Sequence, residues 1–197
     1  MNKWDERYAG EGYLYGTEPN AFLKENFSVI PKGKVLFPAE GEGRNAVFLA
    51  GQGYEVTGVD SSAVAVEKAR KLAVAKGVPV TAIAADLAQF DFGTEQWDGI
   101  VSIFCHLPPD LRRQVHARIV KGLKKGGVFL AEAYTPEQLK YKTGGPPVRE
   151  LLVSLNNLKQ ELQGLRFLHA VETLREVHEG MLHAGKGAVV QVIAVKD

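Results

Sequence analysis

The sequence predicts an α/β fold in which a mostly parallel, seven-stranded sheet has helices on both faces and ends in an antiparallel hairpin. Three observations support this prediction. Short apolar segments alternate with longer amphipathic ones from residue 33 to residue 134, as in strand and helix units that form a parallel sheet. A glycine-rich turn follows the first apolar segment. The loop between the last two segments is too short for a helical crossover, so these strands should pair antiparallel.

The first five strands are predicted where short apolar runs end in turn residues. They are Lys34 to Phe37, Glu55 to Val59, Val80 to Ala85, Gly99 to Phe104 and Val128 to Ala133. The helices between them are Asn45 to Ala50, Ala63 to Ala75 and Leu111 to Leu123. Ser61 and Ser62 are available to cap the second helix, and Gly77 is placed to end it.

The pattern changes after Tyr134, where a loop rich in glycine and proline is followed by a helix near Leu158 to Leu162. The runs Phe167 to Val177 and Gly187 to Val195 then supply the sixth and seventh strands. We therefore predict a single domain over residues 1–197. It comprises an N-terminal helical or lid segment (1–32), a cofactor-binding core (33–134) and a substrate-side loop, helix and terminal hairpin (135–197).

Composition excludes several classes of protein. The chain has 197 residues, of which 45% are hydrophobic and 24% charged, and its net charge is +1, so no strong field draws it to nucleic acid or to an anionic membrane. The N-terminus is charged and no apolar run is long enough to cross a bilayer, which predicts a cytoplasmic protein without a membrane partner. With Cys105 as the single cysteine, neither a disulfide framework nor a metal site is expected.

The glycine-rich turn, Glu40-Gly41-Glu42-Gly43-Arg44-Asn45, indicates a site for a nucleoside cofactor. Glycines let the backbone turn sharply and approach a ligand closely. Asp60, about twenty residues further on, closes the second strand and can accept hydrogen bonds from the hydroxyls of a ribose. Asp60 could instead only cap the following helix, but its spacing from the turn favours ribose binding.

Two cofactors compete for this turn. Its pattern fits the dinucleotide fingerprint, so a nicotinamide oxidoreductase is one hypothesis. However, Glu40 and Glu42 flank the turn, and their carboxylates would repel a pyrophosphate. Two acidic residues suit a ligand that carries an ammonium and a sulfonium, which favours S-adenosylmethionine. Asp86 follows the third strand and is placed to accept from the adenine amine, while the N–H of Leu87 meets a ring nitrogen; Asp86 could also serve only its turn.

These motifs together resemble class I S-adenosylmethionine-dependent methyltransferases. The resemblance is carried by the glycine turn, by Asp60 and Asp86, and by the segments 97–101 and 123–127 around the fourth and fifth strands. Three further segments resemble the tellurite-resistance and thiopurine type of methyltransferase. They are Trp4-Asp5-Glu6-Arg7-Tyr8, Tyr15-Gly16-Thr17-Glu18-Pro19-Asn20 and Glu179-Gly180-Met181-Leu182-His183-Ala184-Gly185.

The resemblance implies a Rossmann-like, seven-stranded sheet whose last strand is antiparallel, and S-adenosyl-L-methionine as cofactor. The candidate cofactor-binding residues are Glu40, Gly41, Glu42, Gly43, Asn45, Asp60, Ser61, Asp86, Leu87 and Phe104. The chain departs from the family at the end of the first strand. Phe37 stands where an acidic residue is usual and Ala39 where the first glycine is usual, so Glu40 or Glu42 is predicted to replace the missing carboxylate beside the methionine ammonium.

Two histidines are candidate catalytic residues. His106 follows the fourth strand and could orient or deprotonate a substrate, or bond only to the backbone of its proline-rich turn. His183 lies in the glycine-containing loop of the terminal hairpin, and the family resemblance favours a substrate role. Trp4, Tyr8 and Tyr15 are predicted to form a substrate lid, because aromatic faces attract a sulfonium and exclude water; the same cluster could also only cover the sheet.

The sequence therefore predicts methyl transfer by in-line displacement from S-adenosylmethionine to a small molecule. The acceptor classes implied by the resemblance are a thiol, a thiopurine-like ring and a chalcogen oxyanion. No nucleic-acid partner is expected. The alternatives are an NAD(P)-dependent oxidoreductase and a binding protein that retains the S-adenosylmethionine pocket without catalysis.

Overall fold

The computed structural model describes residues 3–180 and 184–197. The helices are α1 (Lys3–Tyr8), α2 (Ala21–Asn26), α3 (Arg44–Gly51), α4 (Ala63–Lys76), α5 (Pro109–Gly122) and α6 (Leu155–Glu161). The strands are β1 (Lys34–Pro38), β2 (Glu55–Asp60), β3 (Val80–Ala84), β4 (Trp97–Ile103), β5 (Leu123–Tyr134), β6 (Leu165–His178) and β7 (Ala184–Lys196). Short 3-10 helices span Phe27–Val29, Pro136–Lys140 and Arg149–Leu151. Within the described ranges, none of the helices has both the length and the apolar composition needed to span a bilayer.

All seven strands form one sheet in the order β3-β2-β1-β4-β5-β7-β6. Neighbouring strands from β3 to β5 are parallel, whereas β7 runs antiparallel to both β5 and β6. The predicted fold class, including the antiparallel hairpin, is confirmed. The chain reverses its direction across the sheet between β1 and β4, and ligands of open α/β sheets bind outside the carboxyl ends of the strands at such a switch point.

Side chains of β1 alternate between two hydrophobic clusters, one on each face of the sheet. Leu36 packs in the same cluster as Ile119 of α5, while Val35 and Phe37 pack with Leu49 of α3. Each of these five side chains is fully buried, and each contributes about 1.5 to 3 kcal/mol relative to an exposed position. Helices therefore cover both faces, as predicted, and hold the strand ends in fixed positions.

The capping residues of α4 are also as predicted. Ser62 precedes the helix, and its hydroxyl accepts the N–H of Ala65 at 3.1 Å. Gly77 ends the helix with a left-handed φ of 66°, a conformation that glycine adopts without steric cost. The cap matters for the site because α4 begins three residues after Asp60.

Several predicted boundaries were wrong. The third predicted helix ends at Gly122, and Leu123 instead begins β5, where it pairs with Trp97. The pairing then shifts, so that Gly99 lies opposite Val128. The residues between these two pairs form an irregularity in the strand, which the apolar pattern does not reveal. The helix expected at Leu158 to Leu162 spans Leu155–Glu161, because the side chain of Ser154 caps it.

Candidate functional site

Asp60, the last residue of β2, organises the glycine-rich turn. Its Oδ2 accepts the N–H of Gly41 at 2.8 Å, and its Oδ1 accepts the N–H of Ser62 at 2.9 Å. The N–H of Ser61 is a further partner. Asp60 is only 7% exposed, and this burial raises its pKa, while the three backbone N–H groups lower it. An ionised carboxylate has about four acceptor positions, so Asp60 stabilises the turn and retains capacity for a ligand hydroxyl.

The turn itself adopts left-handed backbone conformations. Ala39 has a φ of 53°, Gly41 of 64° and Gly43 of 91°. Ala39 thus has the conformation that glycine favours, as expected for the residue in place of the family's first glycine. Gly43 is needed for packing, because a Cβ added there would lie 2.7 Å from the Cβ of Ala69 in α4. A Cβ added at Gly41 would instead lie 2.9 Å from the hydroxyl oxygen of Tyr8.

The two glutamates of the turn have different surroundings. Glu40 Oε1 accepts the N–H groups of Asn45 and Ala46, at 3.0 and 2.7 Å, at the N-terminus of α3. Burial raises the pKa of Glu40 to about 8, against the opposing effect of these N–H groups and of Arg44. Both oxygens of Glu42 are bound elsewhere: Oε1 to Lys68 Nζ at 2.9 Å and Oε2 to the N–H of Leu14 at 2.7 Å. Glu40 is therefore the better candidate to face a ligand.

The predicted aromatic lid lies over this turn. Trp4 stacks on Tyr8 with ring centroids 5.9 Å apart, and Tyr8 meets Tyr15 edge to face at 6.3 Å. Tyr8 is 6% exposed, and its pKa is raised by burial and by the charges of Asp60 and Glu42. The structure thus brings Tyr8, Gly41 and Asp60 together.

Polar contacts fasten the lid to α4. The carboxylate of Asp5 accepts the hydroxyl of Ser62 at 2.7 Å, next to the start of the helix. Lys68 Nζ donates to the carbonyls of Gly10 and Gly12, each at 2.8 Å, in addition to its bond with Glu42. Lys68 therefore links the lid, the glycine turn and α4 through one ammonium group.

The other predicted cofactor residues lie in different settings. Asp86 is exposed, two residues beyond the end of β3, and its Oδ1 accepts the N–H of Ala88 in a turn. Leu87 is buried in the core. Asn45 is also buried, and its Oδ1 accepts the N–H of Asn20 at 2.8 Å. In the structure, Asp86 thus stabilises a turn, Leu87 packs in the core and Asn45 has a packing role. Their contacts with a cofactor stay predictions.

Rings from the ends of β4 and β5 form a stack at the same edge of the sheet. Phe104 follows β4 with a left-handed φ of 51°. Its ring stacks on Tyr134, at a centroid distance of 4.6 Å, and Tyr134 stacks in turn on His106 at 5.8 Å with an interplanar angle of 12°. We call these three residues the aromatic stack. The aromatic stack lies at the carboxyl ends of β4 and β5, the edge at which open α/β sheets bind ligands.

The structure describes one of the two predicted catalytic histidines. His106 Nδ1 lies 3.1 Å from the carbonyl oxygen of Leu151, and burial lowers the pKa of His106 to about 4. His183 lies outside the described residues. Cys105 is the residue before His106. Burial and the charge of Asp60 raise the pKa of its thiol to about 12, so Cys105 stays protonated at neutral pH and is no nucleophile.

A buried network of charged and amide groups, missed by the sequence analysis, lies beside the turn. Arg175 Nε donates to Glu132 Oε1 at 2.8 Å, and its terminal nitrogen donates to Glu179 Oε1 at 2.6 Å. Arg44, the first residue of α3, donates to the other oxygen of Glu179. Asn20 Nδ2 contacts both glutamates, at 2.6 and 2.9 Å. One signal could have revealed the network: Glu132 is an acidic residue within the otherwise apolar run 128–134, and a buried carboxylate requires partners.

The network also brings together two of the segments that carry the family resemblance. Asn20 and Glu179 are bonded directly, and Gly180 packs against the backbone of Tyr15. A Cβ at Gly180 would lie 2.5 Å from the carbonyl oxygen of Leu14. The end of β6 and the segment before α2 thus form one wall next to the lid.

The comparisons with known proteins agree with this geometry. Residues 35–127, which include the glycine turn, Asp60 and the aromatic residue Phe104, match the family described as a methyltransferase domain. The chain carries a methyltransferase domain. No curated protein matches this methyltransferase in sequence at a significant level.

Solved structures share its fold at low sequence identity. A protein studied for the conversion of a disulfide bond into a thioacetal group during echinomycin biosynthesis is 21% identical, with a TM-score of 0.79, and the match covers 98% of this chain and 90% of that one. TehB from Haemophilus influenzae is 20% identical with a TM-score of 0.73, over 98% of this chain and 66% of TehB. A S-adenosylmethionine-dependent methyltransferase from Anabaena variabilis is 15% identical with a TM-score of 0.73, over 98% and 92%.

The turn of this methyltransferase fits S-adenosylmethionine as cofactor. A Cβ at Gly41 would lie 2.9 Å from the Tyr8 hydroxyl oxygen, so the absence of a side chain at Gly41 is what lets Tyr8 approach the turn. Two carboxyl groups, those of Glu40 and Asp60, also lie at the turn, and carboxylate oxygens accept hydrogen bonds of the kind that an ammonium and ribose hydroxyls donate. When bound, this cofactor supplies an electrophilic methyl group on a good leaving group.

Proposed function

We propose that this methyltransferase transfers a methyl group to a soft chalcogen atom, above all sulfur, of a small molecule. The observation that supports the proposal is that His106, the base in the aromatic stack, is weak, and that the neighbouring Cys105 thiol stays protonated. His106 has a pKa lowered to about 4 by burial, and the Cys105 thiol a pKa raised to about 12. An amine or alcohol acceptor would call for a general base with a pKa nearer 7, whereas a soft sulfur nucleophile requires none.

For the cofactor, we propose that Gly41 and Gly43 lie along its methionine part, that Asp60 and Ser61 bind its ribose, and that Asp86 and the N–H of Leu87 bind its adenine. Glu40 would accept from the ammonium of the methionine half, and Phe104 would lie beside that half. In this arrangement the protein contributes alignment and exclusion of water, which are sufficient for in-line transfer from an activated donor. Tyr8 and Trp4 of the lid would exclude the water.

The similarity to other proteins favours sulfur as the acceptor. The structural relative from echinomycin biosynthesis is described by a reaction at sulfur, in which a disulfide becomes a thioacetal. The segments around Tyr8, Asn20 and Glu179 resemble the tellurite-resistance and thiopurine type. The lid is closed over the turn through Lys68 and Asp5, which suits a small acceptor rather than a macromolecule.

A product screen tests the proposal. The protein is incubated with S-adenosylmethionine that carries a deuterated methyl group and with matched acceptors: an aromatic thiol, the corresponding phenol and aniline, and selenite. Mass spectrometry should detect the labelled methyl group on the thiol but not on the phenol or aniline. Asp60→Ala should abolish the product, whereas Asp110→Ala, on an exposed turn of α5, should not.

Three results would reject the proposal in different ways. Methylation of the aniline or phenol in preference to the thiol would show a different acceptor class. Tight binding of S-adenosylhomocysteine with no labelled product from any acceptor would indicate a binding protein without catalysis. A thermal shift with NADH that exceeds the shift with S-adenosylhomocysteine would favour an oxidoreductase.

A further inference from the structure

His106 is held in one orientation by the backbone of the substrate-side segment. Its Nδ1 lies 3.1 Å from the carbonyl oxygen of Leu151, in the 3-10 helix Arg149–Leu151. A carbonyl oxygen can only accept, so Nδ1 carries the proton of this hydrogen bond. In a neutral imidazole the other nitrogen then presents a lone pair. His106 Nε2 is therefore a hydrogen-bond acceptor.

This lone pair has no partner in the part of the chain that the structure describes. Nε2 is buried, and no residue in the ranges 3–180 and 184–197 is hydrogen-bonded to it. The ring stays neutral at physiological pH, because burial and the nearby Arg112 guanidinium lower the pKa of His106 to about 4. A buried acceptor without a partner is costly, which points to a ligand that donates a hydrogen bond here.

Three arginines near this edge of the sheet are paired with carboxylates. Arg112 binds Glu161 at 2.9 Å. Arg44 and Arg175 share Glu179, and Arg175 also pairs with Glu132. An anionic acceptor beside the lone pair of His106 would therefore find each of these guanidinium groups already paired. The cost of removing the anion from water would remain uncompensated.

We propose that His106 is a specificity-determining residue, which accepts at Nε2 a hydrogen bond from an uncharged methyl acceptor and thereby selects neutral sulfur compounds with an N–H or S–H over oxyanions. This proposal rests on the proposed function and narrows it. The acceptor would lie against the aromatic stack, with its donor group directed to Nε2. Leu151 acts as a positioning residue, since its carbonyl fixes which ring nitrogen carries the proton.

The chemistry predicts a measurable preference. A site built to pair with a donor group rejects an analogue that lacks it, because the buried acceptor of the protein is then left unpaired. The loss of one such hydrogen bond corresponds to a factor of about ten in affinity. An oxyanion such as selenite should not bind detectably.

Binding measurements with matched probes test the proposal. Dissociation constants are measured by calorimetry, in the presence of S-adenosylhomocysteine, for 2-mercaptobenzimidazole, for its N,N′-dimethyl thione and for selenite. The wild-type protein should bind the probe with N–H groups at least about tenfold more tightly than the dimethyl thione. Equal affinity for the two thiones, binding of neither, or tighter binding of selenite would overturn the proposal.

Two substitutions at His106 separate recognition from structure. His106→Asn retains a donor to the Leu151 carbonyl but lacks the acceptor at the Nε2 position, so the tenfold preference should disappear while affinity for the dimethyl thione is unchanged. His106→Gln places an amide oxygen within reach of that position and should restore part of the preference. A preference that persists in His106→Asn would overturn the proposal, and unchanged melting temperatures would show that both variants fold.

The failure of this proposal can be distinguished from that of the proposed function. The binding ratio of the two thiones tests only recognition by His106 and requires no turnover. The labelled-methyl screen tests only transfer. A preference for the N–H probe without methylation would support recognition and reject the proposed acceptor, whereas methylated thiol without any preference would support transfer and reject the role of His106.

Discussion

The carboxylate of Glu179 forms an ion pair with the guanidinium of Arg44, joining the chain after β6 to the first residue of α3. The two side chains are 5% and 9% exposed, and Arg175 contacts the same carboxylate. Because α3 begins at the glycine turn, this pair connects the terminal hairpin with the cofactor side of the site. Together with Glu132 the network has two positive and two negative charges, so its charge is balanced.

Glu179→Gln should destabilise the protein strongly. The amide keeps the shape of the side chain but leaves Arg44 and Arg175 with one carboxylate instead of two, and removal of one partner from a buried pair costs about 3 to 5 kcal/mol. Urea denaturation measures this loss as a lower free energy of unfolding. Arg166→Gln is the control, because its pair with Asp197 is exposed and should change stability by less than about 1 kcal/mol. Equal effects of the two substitutions would contradict the importance of the network.

Gly180→Ala should destabilise the protein far more than Gly12→Ala. Both glycines have a left-handed φ, of 73° and 79°, so the backbone strain added by alanine is similar, about 1 to 2 kcal/mol. Only at Gly180 would the Cβ also collide with backbone, 2.5 Å from the carbonyl oxygen of Leu14; at Gly12 nothing lies within 4 Å. Urea denaturation should show an additional loss of more than about 2 kcal/mol for Gly180→Ala. Equal losses would argue against the wall formed by Gly180 and Tyr15.

Lys68→Met should loosen the lid. The substitution removes three hydrogen bonds, to Gly10, Gly12 and Glu42, and leaves Glu42, 3% exposed, without its cation. Chymotrypsin cleavage after Tyr13 or Tyr15 should accelerate about tenfold, as expected when opening becomes about 1.4 kcal/mol easier. Lys71→Met, at an exposed position of the same helix, is the matched control and should be cleaved like the wild type. Unchanged cleavage of Lys68→Met would show that other contacts hold the lid.

The apolar periodicity of the sequence predicts the sheet well, because residues that alternate between two buried faces leave a local signature. The left-handed turn and Asp60 are also predictable, since they depend on residues within about twenty positions of one another. The network of Arg44, Glu132, Arg175 and Glu179 is different in kind. Its members come together only when β5, β6 and α3 are assembled, so their pairing has no local pattern, although Glu132 within the apolar run 128–134 signals a buried partner.

The difference between local patterns and long-range contacts also explains why the sequence does not distinguish the two glutamates of the turn. The sequence treats Glu40 and Glu42 as equivalent candidates, because both flank Gly41. Long-range contacts separate them, since Lys68 and Leu14 occupy Glu42. The irregular start of β5 was missed for a related reason: the register shift opposite Trp97 and Gly99 depends on the neighbouring strand and not on the local pattern.

Stability should fall in acid because of Glu161. Burial raises its pKa, but hydrogen bonds from His116 and Arg112 outweigh this effect and lower the pKa to about 2. A carboxyl whose pKa is lower in the folded than in the unfolded state stabilises the fold above its unfolded value, near 4.5, and this contribution is lost as the pH falls from 4.5 to 2.

Urea denaturation at pH 7 and at pH 3 measures this contribution. Wild-type stability should decrease over this interval by more than that of Glu161→Gln, which is less stable at pH 7 but has no carboxyl to titrate at this position. Asp197→Asn is the control for a surface carboxyl, because its pair with Arg166 is exposed. An identical pH dependence for wild type and Glu161→Gln would contradict the assignment.

Glu40→Gln should weaken cofactor binding, whereas Glu42→Gln should act on the lid. Burial raises the pKa of Glu40 to about 8, and an ammonium beside it would favour the ionised form, so the pair forms with release of a proton. A charge-assisted hydrogen bond of this kind is worth about 1.5 to 3 kcal/mol. The affinity for S-adenosylhomocysteine, measured by calorimetry, should therefore fall at least about tenfold in Glu40→Gln.

Glu42→Gln provides the matched comparison within the same turn. Its wild-type carboxylate is already bonded to Lys68 and to the N–H of Leu14, so Glu42→Gln should accelerate chymotrypsin cleavage of the lid and leave affinity for S-adenosylhomocysteine within about twofold of the wild type once the lid is closed by ligand. If both single variants and the double variant bind S-adenosylhomocysteine like the wild type, neither glutamate replaces the carboxylate that the family has where Phe37 stands, and the ammonium must be bound by other groups.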